Sequence, residues 1–223
     1  MGSGPWGTAH PIRTVMERVV FLYDGFNLYH AIKDLGRPDL KWVNLMALSR
    51  ALIQSRSQRI AGVYYCSAFA TWLPEQHTRH RAYVDALKNA GVVPMMGRFK
   101  EKMDRCEKCR ELVRHHSEKE SDVNLALLMV DLGYRDEYDA VYLVTQDSDL
   151  APAVRLVTST FTQKRVVIVT PPARRRSEEL SEKAHETKTI QLSQLERSRV
   201  PAVIQNQRGE IVVRRPIEYA PRQ

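Results

Sequence analysis

The sequence predicts an α/β domain in which helices cover both faces of a central, mostly parallel sheet. Five short runs are apolar at consecutive positions and rich in β-branched or aromatic residues, as is typical of strands buried on both faces; they cover residues 18–23, 60–68, 92–96, 140–145 and 164–170. Segments with helical spacing of apolar residues separate several of these runs, as in residues 44–53. Such alternation of strand and helix favours parallel strands joined by right-handed crossovers.

The length and the net charge of the chain limit its possible domain organisation and partners. Its 223 residues suffice for one α/β domain with some length left for appendages. The chain carries 34 Lys and Arg against 26 Asp and Glu, a net charge of +8, which favours a polyanionic partner such as RNA. We predict a flexible N-terminus over residues 1–17, a domain over 18–196 and a basic C-terminal arm over 197–223. We expect the arm to be loosely attached or to dock elsewhere, and to be where a second copy or a protein partner binds.

The cysteines and the hydropathy pattern bear on the cellular location of the protein and on a possible zinc site. Three cysteines form no even disulfide framework, and no window approaches 18 consecutive apolar residues, so we expect a cytoplasmic protein without a membrane partner. Cys106 and Cys109 have the C-x2-C spacing of half a zinc site, with His115 and His116 nearby. The alternative is that both are free thiols in a basic loop, which we predict over residues 98–116.

Acidic residues follow two of the predicted strands. Asp24 ends the first run, and Asp147 and Asp149 come directly after the run at residues 140–145. A further acid, Asp122, lies in the first turns of a helix that we predict from a capping box at Ser117. Each of these acids alone is typical of a turn or a helix cap. Asp122, however, adjoins an apolar helix body, and a buried carboxylate requires a partner.

The predicted topology brings these acids to one edge of the sheet. With a strand order of 3-2-1-4-5, the first and fourth strands are neighbours, and ligands bind where the order reverses. Clustered carboxylates repel one another unless a cation lies between them. Mg²⁺ or Mn²⁺ prefers oxygen ligands, and two such ions can activate water for phosphodiester hydrolysis. The pattern therefore predicts a site for Mg²⁺ or Mn²⁺.

Three ordered motifs resemble those of the NYN domain family, a branch of the PIN-like nucleases. They are residues 21–29 (FLYDGFNLY), 118–123 (EKESDV) and 144–150 (VTQDSDL). The resemblance implies a PIN-like three-layer α/β/α fold and metal-dependent ribonuclease activity. Gln146 stands where the family usually has Gly, and Leu150 where Phe is commoner.

The resemblance also implies roles for individual residues. The metal-binding acids of the family fall on Asp24, Asp122 and Asp147, with Asp149 as a further acid, while Asn27 and Ser148 match polar motif positions. We therefore predict an endoribonuclease that uses these residues. Basic residues at the rim would hold the RNA backbone; the set includes Arg98, Lys100, Arg174 and Arg175. The alternative is an RNA-binding or scaffolding module that keeps the acids without cutting efficiently.

Overall fold

The computed structural model describes residues 16–105 and 108–221. The strands are β1 (Glu17–Asp24), β2 (Gln58–Ala68), β3 (Val93–Arg105), β4 (Leu112–Lys119), β5 (Ala140–Val144), β6 (Arg165–Thr170), β7 (Glu186–Thr189), β8 (Val203–Gln205) and β9 (Ile211–Arg214). The α-helices are α1 (Gly25–Asp34), α2 (Leu45–Leu52), α3 (Pro74–Asn89), α4 (Ser121–Tyr134), α5 (Ala151–Thr160), α6 (Glu178–Lys183) and α7 (Leu192–Arg197). None of the helices described is both long enough and apolar enough to span a bilayer.

The central sheet has seven strands in the order β4-β3-β2-β1-β5-β6-β7. Its five inner strands are the five predicted from apolar runs, in the predicted order, and they pair in parallel. The sheet is extended by β7, which is parallel to β6, and by β4, which is antiparallel to β3. The predicted α/β class with a mostly parallel sheet is therefore confirmed, and the order reverses between β1 and β5.

Apolar side chains pack on both faces of the sheet and form the core. Along β1, Phe21 and Tyr23 belong to the cluster under α1, α2 and α3. Val20 and Leu22 point the other way and join the cluster under α4, α5 and α6. All four are at most 2% exposed, so the apolar run does mark a strand buried on both faces. Truncating one of the larger side chains to Ala would cost about 3–5 kcal/mol.

Polar caps set the starts of α2 and α6. The Asn44 side chain accepts a hydrogen bond from the Ala47 N–H at 3.0 Å and caps α2. Ser177 caps α6 in the same way by accepting from the Leu180 N–H. Each side-chain oxygen satisfies a backbone donor that the first helical turn leaves unpaired.

The segment that we predicted as a loop, residues 98–116, is mostly strand, and that prediction was wrong. The end of β3 and the whole of β4 form an antiparallel hairpin from the pair Arg98 and Lys119 to the pair Arg105 and Leu112. Most of its residues are exposed. Because the ribbon buries little of either face, its sequence lacks the apolar alternation by which strands are recognised. We call residues 98–105 and 112–119 the ribbon.

The helix start predicted at Ser117 was also wrong. Ser117 lies in β4, and α4 begins at Ser121. Instead of a Ser117 cap, the Glu118 carboxylate accepts hydrogen bonds from the Ser121 N–H at 3.1 Å and from its hydroxyl at 2.5 Å. The N-cap residue of α4 is Glu120, which makes no side-chain cap, so the first N–H of the helix is satisfied by Glu118 instead.

The described part of the C-terminal arm packs against the domain. Val200 and Val213 are buried in the cluster under α1, α2 and α3. The Trp42 indole N–H donates to the Pro201 carbonyl at 3.1 Å, and Arg79 on α3 forms an ion pair with Glu218 at 2.8 Å. The described residues after 197 therefore contribute to the core and surface of the domain.

Candidate active site

Asp24 ends β1 at the centre of the sheet and is only 2% exposed. One carboxylate oxygen, Oδ1, accepts from the Asn27 N–H at 2.9 Å, so Asp24 caps α1. The other, Oδ2, accepts from the Asn27 side-chain amide at 2.5 Å and from the Thr145 hydroxyl at 2.9 Å. Burial raises the pKa of Asp24, and these hydrogen bonds partly offset that effect.

Gly25 permits the close approach that places Asp24. A Cβ atom at this position would lie 2.7 Å from the Cys66 carbonyl oxygen and 2.7 Å from the Tyr65 ring. Both neighbours belong to β2, which is adjacent to β1. The missing side chain therefore lets α1 start directly above β2 with Asp24 at its N-terminus.

Thr145 connects the acids of the two central strands. Its hydroxyl donates to Asp24 and accepts from the Asp147 N–H at 3.0 Å. Asp147 in turn accepts from the Asp149 N–H at 3.0 Å and caps a short 3-10 turn over Ser148–Leu150. Thr145 is fully buried. We did not single it out from the sequence, although a hydroxyl at the end of a buried strand is a polar group that must find a partner.

Asp122 approaches this network from the first turn of α4. Burial first, and then the charges of Asp24, Asp147, Glu118 and Asp149 in that order of size, together raise the pKa of Asp122 to about 6. Such coupling requires the carboxylates to be near one another. The structure thus brings Asp24, Asp122, Asp147 and Asp149 to one edge of the sheet, and we call these four residues the acid centre.

The ribbon explains how α4 reaches this edge. Strand β3 runs out beyond the parallel sheet, and β4 returns along it, so α4 starts at the carboxyl edge. At the junction, a Cβ on Gly97 would lie 2.5 Å from the Lys119 carbonyl oxygen, and Glu120 has a positive φ of 85°. The expected position of Asp122 is observed, but it depends on a hairpin that we did not predict.

Cys66 is a buried thiol beside the acid centre. It pairs with Asp24 in the sheet register and is fully buried. Burial first, and then the charges of Asp24, Asp122 and Glu118, together raise the pKa of this thiol to about 12. Cys66 therefore stays protonated and is not a nucleophile at neutral pH.

The predicted RNA-contacting residues differ in their surroundings. Arg98 and Lys100 lie on one exposed face of the ribbon, since residues that pair across an antiparallel ladder share a face; this face also carries Lys102, His115 and Lys119, with Asp104 as its acid. The Arg98 side chain forms an ion pair with Glu120 at 2.7 Å. Arg174 is bound to Asp34 at 2.5 Å, whereas Arg175 and Ser148 are exposed.

The structure bears differently on the predicted zinc site and on the predicted Mg²⁺ or Mn²⁺ site. Cys106 lies outside the described residues, while Cys109 is exposed, so zinc binding stays a prediction. Among the residues described, no three His, Cys, Asp or Glu side chains stand close enough together to hold an ion directly. The acid centre nevertheless suits Mg²⁺, because its donors are all oxygens that repel one another, and Mg²⁺ keeps several waters and needs only one or two carboxylates.

Comparison with known proteins places the chain in a family. No curated protein matches it. Among solved structures, a protein of unknown function from Vibrio parahaemolyticus is similar, with a TM-score of 0.55 and 20% identity over 79% of this chain and 94% of that one. This similarity concerns the fold. The model of the NYN domain matches residues 18–191, and the chain therefore belongs to the NYN domain family, whose fold is of the nuclease type.

Proposed function

We propose that this protein is a metal-dependent endoribonuclease that hydrolyses RNA phosphodiester bonds. The observation that carries the proposal is the gathering of Asp24, Asp122, Asp147 and Asp149 at the point where the strand order reverses. In open α/β sheets this is where ligands bind. Asp24 is buried and Asp122 and Asp147 are partly buried; clustered carboxylates that repel one another are unfavourable for folding alone, and such groups concentrate at functional sites.

The residues of the acid centre would hold Mg²⁺ or Mn²⁺. When bound, the ion activates water and stabilises the negative charge that develops on the phosphate. Asn27 and Thr145 donate hydrogen bonds to Asp24, which orient its carboxylate and favour its charged form against the effect of burial. Ser148 is exposed beside Asp147, where its hydroxyl would donate to a phosphate oxygen.

The basic face of the ribbon would hold the RNA backbone. Arg98, Lys100, Lys102 and Lys119 point to the same side, and this side begins where β3 leaves the sheet next to α4. Contacts between cationic side chains and phosphates release counterions, so RNA affinity should fall as salt rises. Arg175 is exposed after β6, on the other side of the acid centre from the ribbon, and would contact the backbone there, whereas Arg174 must first leave Asp34.

A second candidate function is RNA binding without efficient cleavage. It is favoured by the spacing of the acids, since no three of the described His, Cys, Asp or Glu side chains stand within direct reach of one ion. The basic face of the ribbon serves this function equally well. The two functions differ in one result: a pure binding module would be stabilised by Mn²⁺ and would bind RNA without forming products.

The deciding experiment incubates the purified protein with linear and circular single-stranded RNA, structured RNA and DNA. Each is tested with Mg²⁺, Mn²⁺ or a chelator. We expect metal-dependent cleavage of RNA, including the circular form, which only an endonuclease can open. Asp147→Asn should lose cleavage, while Asp85→Asn, an exposed acid on α3 that pairs with Lys88, should retain it. Equal cleavage by the Asp147→Asn variant would contradict the proposal.

A further inference from the structure

A cavity of about 450 Å³ opens beside the acid centre, on the side of α1 and α3. Gly25 and Phe26, which follow Asp24 in the chain, line it. Ser67 and Ala68, which follow the strand position paired with Asp24, line it as well. The residues that directly follow Asp24 and its paired residue in β2 therefore line the cavity, which lies next to the acid centre at the same edge of the sheet. Its volume is typical of small-molecule sites.

Aromatic rings form much of the cavity wall. Phe99 meets the edges of both Phe26 and Trp72, with ring centroids 5.8 Å and 4.6 Å apart. Trp72 in turn stacks on His116 of the ribbon. Tyr29, on α1 like Phe26, is 39% exposed and has the Lys41 ammonium 4.4 Å from its ring centroid. Exposed and half-buried aromatic faces in one cavity are suited to stacking against a flat ring.

Apart from the Lys41 ammonium, the polar groups of the cavity are neutral or paired within the protein. His80 lies 3.1 Å from the Tyr65 hydroxyl, and burial lowers the pKa of this imidazole to about 4, so it is uncharged at neutral pH. Arg79 is paired with Glu218 at 2.8 Å. Ser67 and Gln76 add a hydroxyl and an amide. Uncharged donors and acceptors match the edge of a heterocycle rather than a phosphate group.

We propose that this cavity, the base pocket, binds a nucleobase of the RNA strand whose backbone lies at the acid centre. The proposal rests on the proposed function, because it assigns a subsite next to the same catalytic edge. A flipped or single-stranded base would stack on Tyr29 or Phe26 and use His80 or Gln76 for hydrogen bonds. Tyr219 and Glu218 of the C-terminal arm close one wall, and they lie beyond the matched family region.

The test measures binding of single nucleotides by calorimetry in the presence of a chelator, so that no cleavage occurs. The probes are the four nucleoside 5′-monophosphates and ribose 5-phosphate, which lacks a base. We expect at least one nucleotide to bind about tenfold more tightly than ribose 5-phosphate, since stacking on an aromatic side chain is typically worth that factor or more. Tyr29→Ala should remove this difference.

Two further variants separate stacking from general damage. Tyr29→Phe keeps the ring and should bind like the wild type. Tyr134→Ala removes a tyrosine that is 70% exposed at the end of α4, outside the base pocket, and should have no effect. Equal binding of nucleotides and ribose 5-phosphate, absence of all nucleotide binding, or an unaffected Tyr29→Ala variant would each overturn the proposal.

The same protein samples, assayed for RNA cleavage with Mn²⁺, separate the two proposals. Base-dependent nucleotide binding without cleavage would support the base pocket and remove the nuclease function. Cleavage without base-dependent binding would support the nuclease function and remove the base pocket.

Discussion

The carboxylates at the two ends of strand β1 differ in whether a cationic side chain is paired with them. At the amino end, Asp139 accepts hydrogen bonds from Arg18, which lower the pKa of that carboxyl. Hydrogen bonds from Lys164 and then Arg18 likewise lower the pKa of Asp136. At the carboxyl end, none of the ion pairs between described residues includes Asp24, Asp122, Asp147 or Asp149, and the pKa values of Asp24 and Asp122 are raised.

This difference separates acids that stabilise the fold from acids that are available to a ligand. A carboxylate matched to Arg or Lys within the protein has its charge balanced on folding. A carboxylate set among others, with hydrogen-bond donors but no cation, keeps an uncompensated charge that a divalent ion can balance. We therefore expect substitutions of the acids at the carboxyl end to lower activity more than stability. Substitutions of the acids at the amino end should lower stability more than activity.

The largest effect is expected for Asp122→Asn at the carboxyl end. It removes a charged oxygen from the acid centre, and metal stabilisation of phosphoryl transfer is worth several kcal/mol, so cleavage should fall at least about a hundredfold. The variant should remain folded, because Asn fills the same space. Cleavage rates with Mn²⁺ measure the loss, and wild-type activity in a folded Asp122→Asn protein would exclude this residue from the reaction.

A smaller effect is expected for Thr145→Val, which keeps the shape of the side chain and removes the hydroxyl between Asp24 and Asp147. Groups that orient metal ligands typically contribute about 10- to 100-fold, and we expect a loss of activity in that range. Thr145→Ser retains the hydroxyl and serves as the control. If the Val and Ser variants cleave RNA equally well, the bridging hydrogen bonds do not position the acids.

At the amino end, Asp139→Asn should leave cleavage unchanged and lower the free energy of unfolding. The paired side chains are partly exposed, so solvent screening limits the effect to about 1 kcal/mol. Chemical denaturation gives the change, with cleavage assayed on the same sample. A loss of activity in a stable Asp139→Asn protein would contradict the division between the two ends.

The smallest effect concerns the pH dependence of stability without metal. The folded pKa of Asp122 is about 6, against an ordinary value of 3.8, so its contribution to stability is highest below that ordinary value and is lost as pH rises through 6. Asp122→Asn does not titrate here, so its melting temperature relative to the wild type should rise over the same interval and level off above it.

Thermal melts in chelator from about pH 4 to about pH 8 measure this difference. Adding Mn²⁺ should stabilise the wild type more than the variant and so reduce the difference. A melting-temperature difference that is constant across this range would show that Asp122 is not destabilised in the folded protein.

The apolar runs alone determined the five inner strands of the sheet. Val19 to Tyr23 are apolar on both faces, a pattern that only a covered strand can satisfy, and the order of strands and helices then left few topologies. The motifs around Asp24, Asp122 and Asp147 were likewise visible in the printed chain. Local chemistry and chain order were sufficient for both.

Tertiary structure alone decided how these parts meet. The ribbon has little buried surface, so no apolar pattern marks its strands, yet it determines where α4 begins. The link from Asp24 through Thr145 to Asp147 joins positions 121 residues apart, and the base pocket draws on α1, α3, the ribbon and the arm together. Hydrogen bonds and cavities between distant segments leave no periodic trace in a sequence, because they depend on packing rather than on the order of neighbouring residues.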